Sequence, residues 1–361
     1  MIARKIGKWV LILLGIILLA AVALVLWLTV REYKPAAVED ISVETAGQNR
    51  SVSVRDTVKI LSLNTGYAGL GREADFFMDG GKSVQPTEAQ SSANLSGIGD
   101  FLCGQDADVY LLQEVDSGSR RSYGVDQTRQ YRDRLSADGA DVFASAYALN
   151  YSCDFVPYPL PPIGKVHSGV QTISRLELES AQRIALPCPF SWPVSAANLK
   201  RCLLVSYVPL AGTDRQLVLV NLHLEAYDDG EGKAAQTQVL MELLTAEYEK
   251  GNYVIAGGDF NQVFPGTTDT YPIKNPDLWA PGVLEPEMLP AGWQFAFDDS
   301  VPTCRLLNQP YDPDSPDTQF YVIDGFIVSP NVTVESVTTL DEQFTRTDHN
   351  PVSLTVTLAE E

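Results

Sequence analysis

The stretch FTRTDHNPVSLTV, residues 344–356, sets an aspartate and a histidine side by side just ahead of an alternating apolar run. Val352, Leu354, Val356 and Leu358 carry the two-residue period of a half-buried strand. Asp and Asn also favour turns, and Pro351 pre-sets the backbone before the strand. Taken alone, Asp348 and His349 fit a turn as well as they fit a site. The chain holds only three histidines, so the surroundings of the other two, His167 and His223, bear on the choice.

At the other end, residues 9–30 form an apolar run without a charged side chain, long enough to span a bilayer as a helix. Arg4, Lys5 and Lys8 precede it, which predicts a short cytoplasmic segment (1–8), a single-pass signal-anchor (9–30) and an extracytoplasmic remainder at the cell membrane. A cleaved signal peptide is the rival reading: Ala21-Val22-Ala23 fits the small-residue pattern, but the apolar run continues to Val30. Residues 31–56 are largely polar without a clear period, which predicts a tether. Residues 57–361 then form the main domain, on the order of 300 residues.

The formal net charge is -20, and the basic N-terminus makes the remainder more acidic still. Such a surface repels polyanions unless a cation or a local basic patch intervenes. The five cysteines show no CxxC spacing, so no zinc site is legible and no disulfide pairing can be read.

Along the domain, strand patterns are expected at 58–63, 108–114, 169–173, 202–208, 216–222, 253–259, 321–328 and 352–358. Helices are expected at 92–103 and 233–249, the second stopped by Gly251. Residues 67–90 read as a surface loop and 157–165 as a proline-stiffened loop. Many strands with few helices indicate layered α/β architecture.

Polar side chains recur where these strands end: Asn64, Glu114, His223, Asp259 with Asn261, Asp324, and Asp348 with His349. Each alone has an ordinary explanation as a solvent-facing acid or an Asx turn. Together they place carboxylates, amides and imidazoles where loops present functional groups on a rigid scaffold. Hard oxygen donors of this kind suit Mg²⁺, or Mn²⁺, rather than zinc, and such ions bind phosphate oxygens.

In this order, LSLNTG, LLQEVD, VNLHLE, GGDFN, VIDGFIVS and TDHNPV resemble the endonuclease/exonuclease/phosphatase superfamily, over about residues 57–358. That superfamily includes deoxyribonuclease-like and apurinic-type nucleases, neutral sphingomyelinases and inositol-polyphosphate phosphatases. The resemblance implies a four-layer α/β sandwich with two central mixed β-sheets, here preceded by one N-terminal transmembrane helix. It implies Asn64 and Glu114 as metal-binding residues and Asp348 as a metal-side or histidine-orienting carboxylate. It implies Asp259 as the residue that positions or deprotonates water, and Asn261 as a phosphate contact. His349 corresponds to a histidine that contacts the scissile phosphate, His223 to a phosphate contact or leaving-group acid, and Asp324 to a carboxylate near that second histidine. Many relatives follow Asp324 with Asp-His or Asp-Tyr, whereas Gly325 stands here. His167 is expected at the rim.

The implied reaction is in-line attack of water on a phosphate ester, dependent on Mg²⁺ or Mn²⁺. Arg120, Arg121, Tyr123 and Lys165 form the basic and aromatic stock expected to bind substrate, although the same arginines could bridge surface acids. The substrate is left open between nucleic acid, a lipid headgroup and a small molecule, so the enzyme could be an extracellular nuclease or a sphingomyelinase-like lipid phosphodiesterase. A non-catalytic binding module on the same fold is the reading from another class. A metal-independent hydrolase has no Gly-x-Ser-x-Gly elbow to support it.

Overall fold

Alternation of side chains along the strands determines which residues meet across the interior, and it builds two large sheets packed face to face. The computed structural model describes residues 2–45, 47–137, 141–228 and 230–360. The main path of the first, eight-stranded sheet runs Val38–Ile41, Ser180–Ala185, Cys202–Ala211, Gln216–His223, Tyr253–Asp259, Asp324–Val328, Gln294–Ala296. The six-stranded second sheet runs Val332–Thr339, Val352–Leu358, Thr57–Asn64, Val109–Asp116, Gly164–Ser174, Ala144–Val156. Both are mixed: Gln216–His223 lies parallel to Tyr253–Asp259, and Thr57–Asn64 parallel to Val109–Asp116.

Odd-numbered residues of Gln216–His223 and Tyr253–Asp259 (Leu217, Leu219, Tyr253, Ile255) pack against Val58, Ile60, Val109 and Leu111 between the sheets. The opposite face of the first sheet packs under the helix Glu231–Glu249 through Leu240 and Leu244. The outer face of the second packs under Glu88–Gly104 and Gln127–Leu135. The first of these two helices opens with a capping box between Thr87 and Gln90 and the second with Asp126 as N-cap, which satisfies end N–H groups. Helix, sheet, sheet and helix make the expected four-layer α/β sandwich.

One polar cluster interrupts the apolar layer between the sheets. Asn221 accepts from Gln113 Nε2 at 2.8 Å and donates to the carbonyls of Leu112 and Gln171 at 3.2 and 2.9 Å. Because it is fully buried, Asn221→Ala removes three buried hydrogen bonds at once, although Gln113 Nε2 keeps the Leu111 carbonyl at 3.0 Å. Its expected cost is about 3 kcal/mol, read from the urea unfolding midpoint, and a loss below about 1 kcal/mol would contradict a structural role for the cluster.

Two expectations are corrected, and one strand lies outside those expected. Residues 31–56 are not a free tether: Val38–Ile41 pairs with Ser180–Ala185, Val52–Ser53 pairs with Cys202–Ala211, and Glu44 and Arg50 form single bridges to Ser145 and Leu176. Exposed strand edges invite such pairing even from a polar segment. The stretch 67–90 is not wholly surface loop, since Tyr67, Ala68, Leu70 and Asp79 are buried. The long strand Ala144–Val156 had no clear signal, because Ala, Ser and Asn break the apolar alternation along it.

The N-terminal helix, Ile2–Val30, includes a span apolar enough to cross a membrane. Its last turns rest on the domain: Leu28 is buried with Cys153, Val156, Val166 and Ala196, and Trp192 Nε1 donates to Thr29 Oγ1 at 2.9 Å. Glu32 pairs with Lys200 at 2.9 Å and Arg31 with Asp154 at 2.7 Å.

Candidate active site

Three of the predicted residues lie on one line across the first sheet. Asp259 is paired in register with His223 on one side and with Asp324 on the other. All three share the inward parity of the apolar residues earlier in their strands, so they face the second sheet where the apolar layer ends. Gly257 and Gly258 permit this approach. A Cβ at 257 would meet Phe326 at 2.3 Å, and one at 258, where φ is 149°, would meet the Leu222 carbonyl at 2.0 Å.

The second sheet supplies the facing half. Asn64 ends its strand on the inner face. Glu114 sits at a break in register between Leu112 and Val115 with φ of 53°. A bulge of this kind re-aims a side chain, and here it turns Glu114 into the cleft. Asp348 and His349 precede Val352–Leu358, anchored by a bridge from His349 to Cys304 and by Thr347 Oγ1 donating to the Asn64 carbonyl at 2.9 Å.

The two halves converge on one oxygen. Asp259 Oδ2 accepts from Asn64 Nδ2 at 3.0 Å and lies 3.5 Å from His223 Nε2 and 3.7 Å from His349 Nε2. Its other oxygen accepts the Asn261 N–H at 2.9 Å. His349 Nδ1 is bonded to Asp324 Oδ2 at 2.8 Å, which turns Nε2 toward the cleft. Asn261, with φ of 50°, donates one amide hydrogen to the Leu224 carbonyl and keeps the second.

Burial and charge set the two motif histidines apart. Burial alone would depress His349, but the Asp324 carboxylate outweighs it and holds the imidazole well above its usual pKa. His223 is held well below, by burial first and then by Arg201 and His349. At neutral pH one is a cation and the other neutral. Burial, and then Asp324, raises Asp259 to about 6, against the opposing pull of His349. Asp348 is pushed up to about 7 by burial first, with His349 opposing and Glu114 adding to the rise.

Asp348 and Glu114 both line the cleft, and the Glu114 charge adds to the rise of Asp348. Among the described residues neither is ion-paired with a lysine or arginine, and His349 Nε2 stands 4.0 Å from Asp348. Carboxylate oxygens of this kind are the hard donors that Mg²⁺ or Mn²⁺ takes. Two tighter groups, Cys304–Asp348–His349 and Asp259–Asp324–His349, could also hold an ion by spacing. Both depend on His349, whose cationic state and bond to Asp324 oppose metal binding. Asn64 is placed differently from its expected role as ligand. Its oxygen accepts the Gly66 N–H, so its amide nitrogen faces Glu114 and Asp259.

Of the four residues expected to bind substrate, only Arg121 lines the cleft. It is held by Asp116 through two bonds, at 2.9 and 3.1 Å, and lies 3.7 Å over the Tyr67 ring. Tyr123 instead donates to the Pro86 carbonyl at 2.7 Å, and Arg120 to that of Pro162 at 3.2 Å. Lys165 is exposed outside the cleft and His167 is half-buried beside it. Sequence reading missed Arg201, Tyr227 and Arg305, which line the cleft. Arg201 pairs with Glu225 at 3.3 Å, Tyr227 donates to Asp79 at 2.8 Å, and Arg305 donates to the carbonyls of Gly71 and Ala74. Their partners are distant in sequence or are backbone groups, so no motif marks them.

The fold and site define the class of four-layer α/β sandwiches that gather acids, amides and two histidines between their sheets. Consistent with that, the profile of the Endonuclease/Exonuclease/phosphatase family matches residues 80–349, and the chain belongs to this family. No curated protein matches the sequence. Among solved structures, an endonuclease/exonuclease/phosphatase from Beutenbergia cavernae is 18% identical, with a TM-score of 0.58, over 84% of this chain and 72% of that one. Family proteins from Leptotrichia buccalis and Bacteroides vulgatus are 13% and 14% identical, both with TM-scores of 0.51. They align over 83% and 84% of this chain respectively, and over 99% of each of the other chains. At these identities the likeness concerns the fold.

Proposed function

We propose that the chain is a divalent-metal-dependent phosphodiesterase, anchored by residues 9–30 with its catalytic domain outside the membrane. Convergence of Asn64, His223 and cationic His349 on a single Asp259 oxygen carries this reading. Mg²⁺ or Mn²⁺ held by Glu114 and Asp348 would supply charge stabilisation to the phosphate. Asp259 Oδ2 orients the attacking water and accepts its proton as the new P–O bond forms, with Asn64 fixing the carboxylate, while the ester oxygen on the opposite side leaves with its bonding pair and takes a proton from solvent. His349 Nε2 donates to a phosphoryl oxygen, and Asp324 keeps it protonated. The free amide hydrogen of Asn261 donates to the same group. Neutral His223 steadies Asp259 from the opposite side without adding a second buried charge.

Full-length protein in detergent should hydrolyse bis(p-nitrophenyl) phosphate with Mg²⁺, lose that turnover in EDTA, and regain it with added Mg²⁺ or Mn²⁺. EDTA-insensitive turnover would overturn the metal assignment. Absence of turnover on both this diester and p-nitrophenyl phosphate, in protein shown to be folded, would overturn the enzymatic reading.

A further inference from the structure

The cleft above Asp259 and His349 encloses about 690 Å³, within the range of small-ligand sites. Its floor is polar, whereas most of the exposed wall surface is apolar. Phe76, Phe77, Val156 and Ile163 line one part, and Phe190 and Val194 another. The wall is completed by Val25 and Leu28 of the N-terminal helix, so the cleft reaches the end of the apolar span. Around that mouth, large apolar side chains stand in the open: Tyr158 is 69% exposed, Leu160 84%, and Trp192 61%. Trp192 is bonded to Thr29 of the helix, and Tyr158 meets the Phe77 ring edge-on at 5.8 Å. Exposed Trp, Tyr and Leu beside the end of a spanning helix have the composition of a membrane-interface belt.

The cations of the cleft do not suit a long polyanion. Arg121 is engaged by Asp116, Arg201 by Glu225, and Arg305 by backbone carbonyls. Among the described residues that line the cleft, these three arginines are the only Lys or Arg side chains, and each is already engaged, which leaves little for a nucleic-acid backbone to run along. A single phosphate on an apolar body matches both the floor and the walls.

We infer that the substrate is a membrane amphiphile. Its phosphoester reaches Asp259 and His349, and its hydrocarbon chain lies along the apolar wall that Val25 and Leu28 complete, while Leu160 and Trp192 rest in the headgroup layer. This inference rests on the phosphoesterase reading and names the substrate class of the same site. The membrane helix is then part of the substrate site as well as an anchor.

The test uses full-length protein and p-nitrophenyl phosphate diesters carrying a methyl, butyl or octyl group, with supercoiled DNA as the competing substrate. Burial of each methylene favours binding a few-fold, so kcat/KM should rise at least about ten-fold from methyl to octyl. Val194→Asp, in the wall, should flatten the octyl-to-methyl ratio. Leu160→Asp, on the rim and outside the lining, should slow hydrolysis of the octyl ester presented in phosphatidylcholine vesicles while leaving turnover of the soluble methyl ester unchanged. A flat series in active wild-type protein, or DNA cleaved faster than the octyl ester, would overturn the inference and leave the phosphoesterase reading standing. No turnover of any ester in the series, nor of p-nitrophenyl phosphate, in protein shown to be folded would remove that reading, and this one with it.

Discussion

Asp259→Asn should lower kcat on a soluble phosphodiester by about a thousand-fold, the scale of losing a positioned general base in a water-excluded site. The asparagine keeps the shape and one acceptor oxygen for Asn64, but it cannot take a proton from water. It also relieves repulsion, because Asp259 and Asp324 are buried side by side. The native state binds this proton more tightly than the unfolded chain, since burial raises the carboxyl to about 6. Ionised Asp259 therefore costs stability, and that cost grows as pH rises from the ordinary carboxylate range through about 6. The variant should melt at the same temperature as wild type or higher at pH 7. A large loss of activity with unchanged or raised Tm separates a catalytic role from a structural one, whereas parallel losses of both would contradict it.

The same groups set the pH profile. The proton acceptor works only when ionised, so the rate should rise with pH through about 6. His349 is held well above its usual pKa by Asp324, so the phosphate contact persists through neutral pH and fails only on the alkaline side. A bound cation at Glu114 and Asp348 would move the acid limb downward without reversing its sign. Asp324→Asn should bring the alkaline limb toward neutrality, because the imidazolium then loses the carboxylate that sustains it.

Glu114→Gln should raise the Mg²⁺ concentration needed for half-maximal rate by about a hundred-fold, as one of two charged donors is lost at a site that depends on both. Asp348→Asn should act in the same direction. Asn64→Ala discriminates ligand from orienting residue. With its oxygen engaged by Gly66, Asn64 holds Asp259 and Glu114 by its amide, so its loss should lower kcat more than it shifts the Mg²⁺ requirement. Titration of rate against Mg²⁺ for the three variants decides this. An unshifted midpoint for Glu114→Gln would displace the metal from the position assigned to it.

Much of this site was legible because strand parity is local. Once Leu217, Leu219, Tyr253 and Ile255 are read as inward-facing, His223 and Asp259 follow by counting in twos. GGDFN announces a close strand approach that only glycine permits, and TDHNPV places His349 where a strand begins. The sequence could not reveal that Asn64 turns its nitrogen to the acids, because the Gly66 N–H imposes that choice through a local turn. Nor did it separate Arg121 from Arg120 and Tyr123. All three occur in one short run, and only the fold brings Asp116 and Tyr67 around Arg121.

The residues 31–56 show the same division from the other side. Their composition is that of a linker, and their structure is that of edge strands, because pairing depends on the partner strand more than on intrinsic preference. By itself the sequence determined the layered architecture, the apolar span and the side chains available for phosphoester chemistry, since these follow from periodicity and residue type. Tertiary structure decided which charges are neutralised, which imidazole stays protonated, and that an apolar cleft runs from Asp259 to the end of the N-terminal helix. Those properties come from burial and from partners far apart in the chain, which no local pattern records.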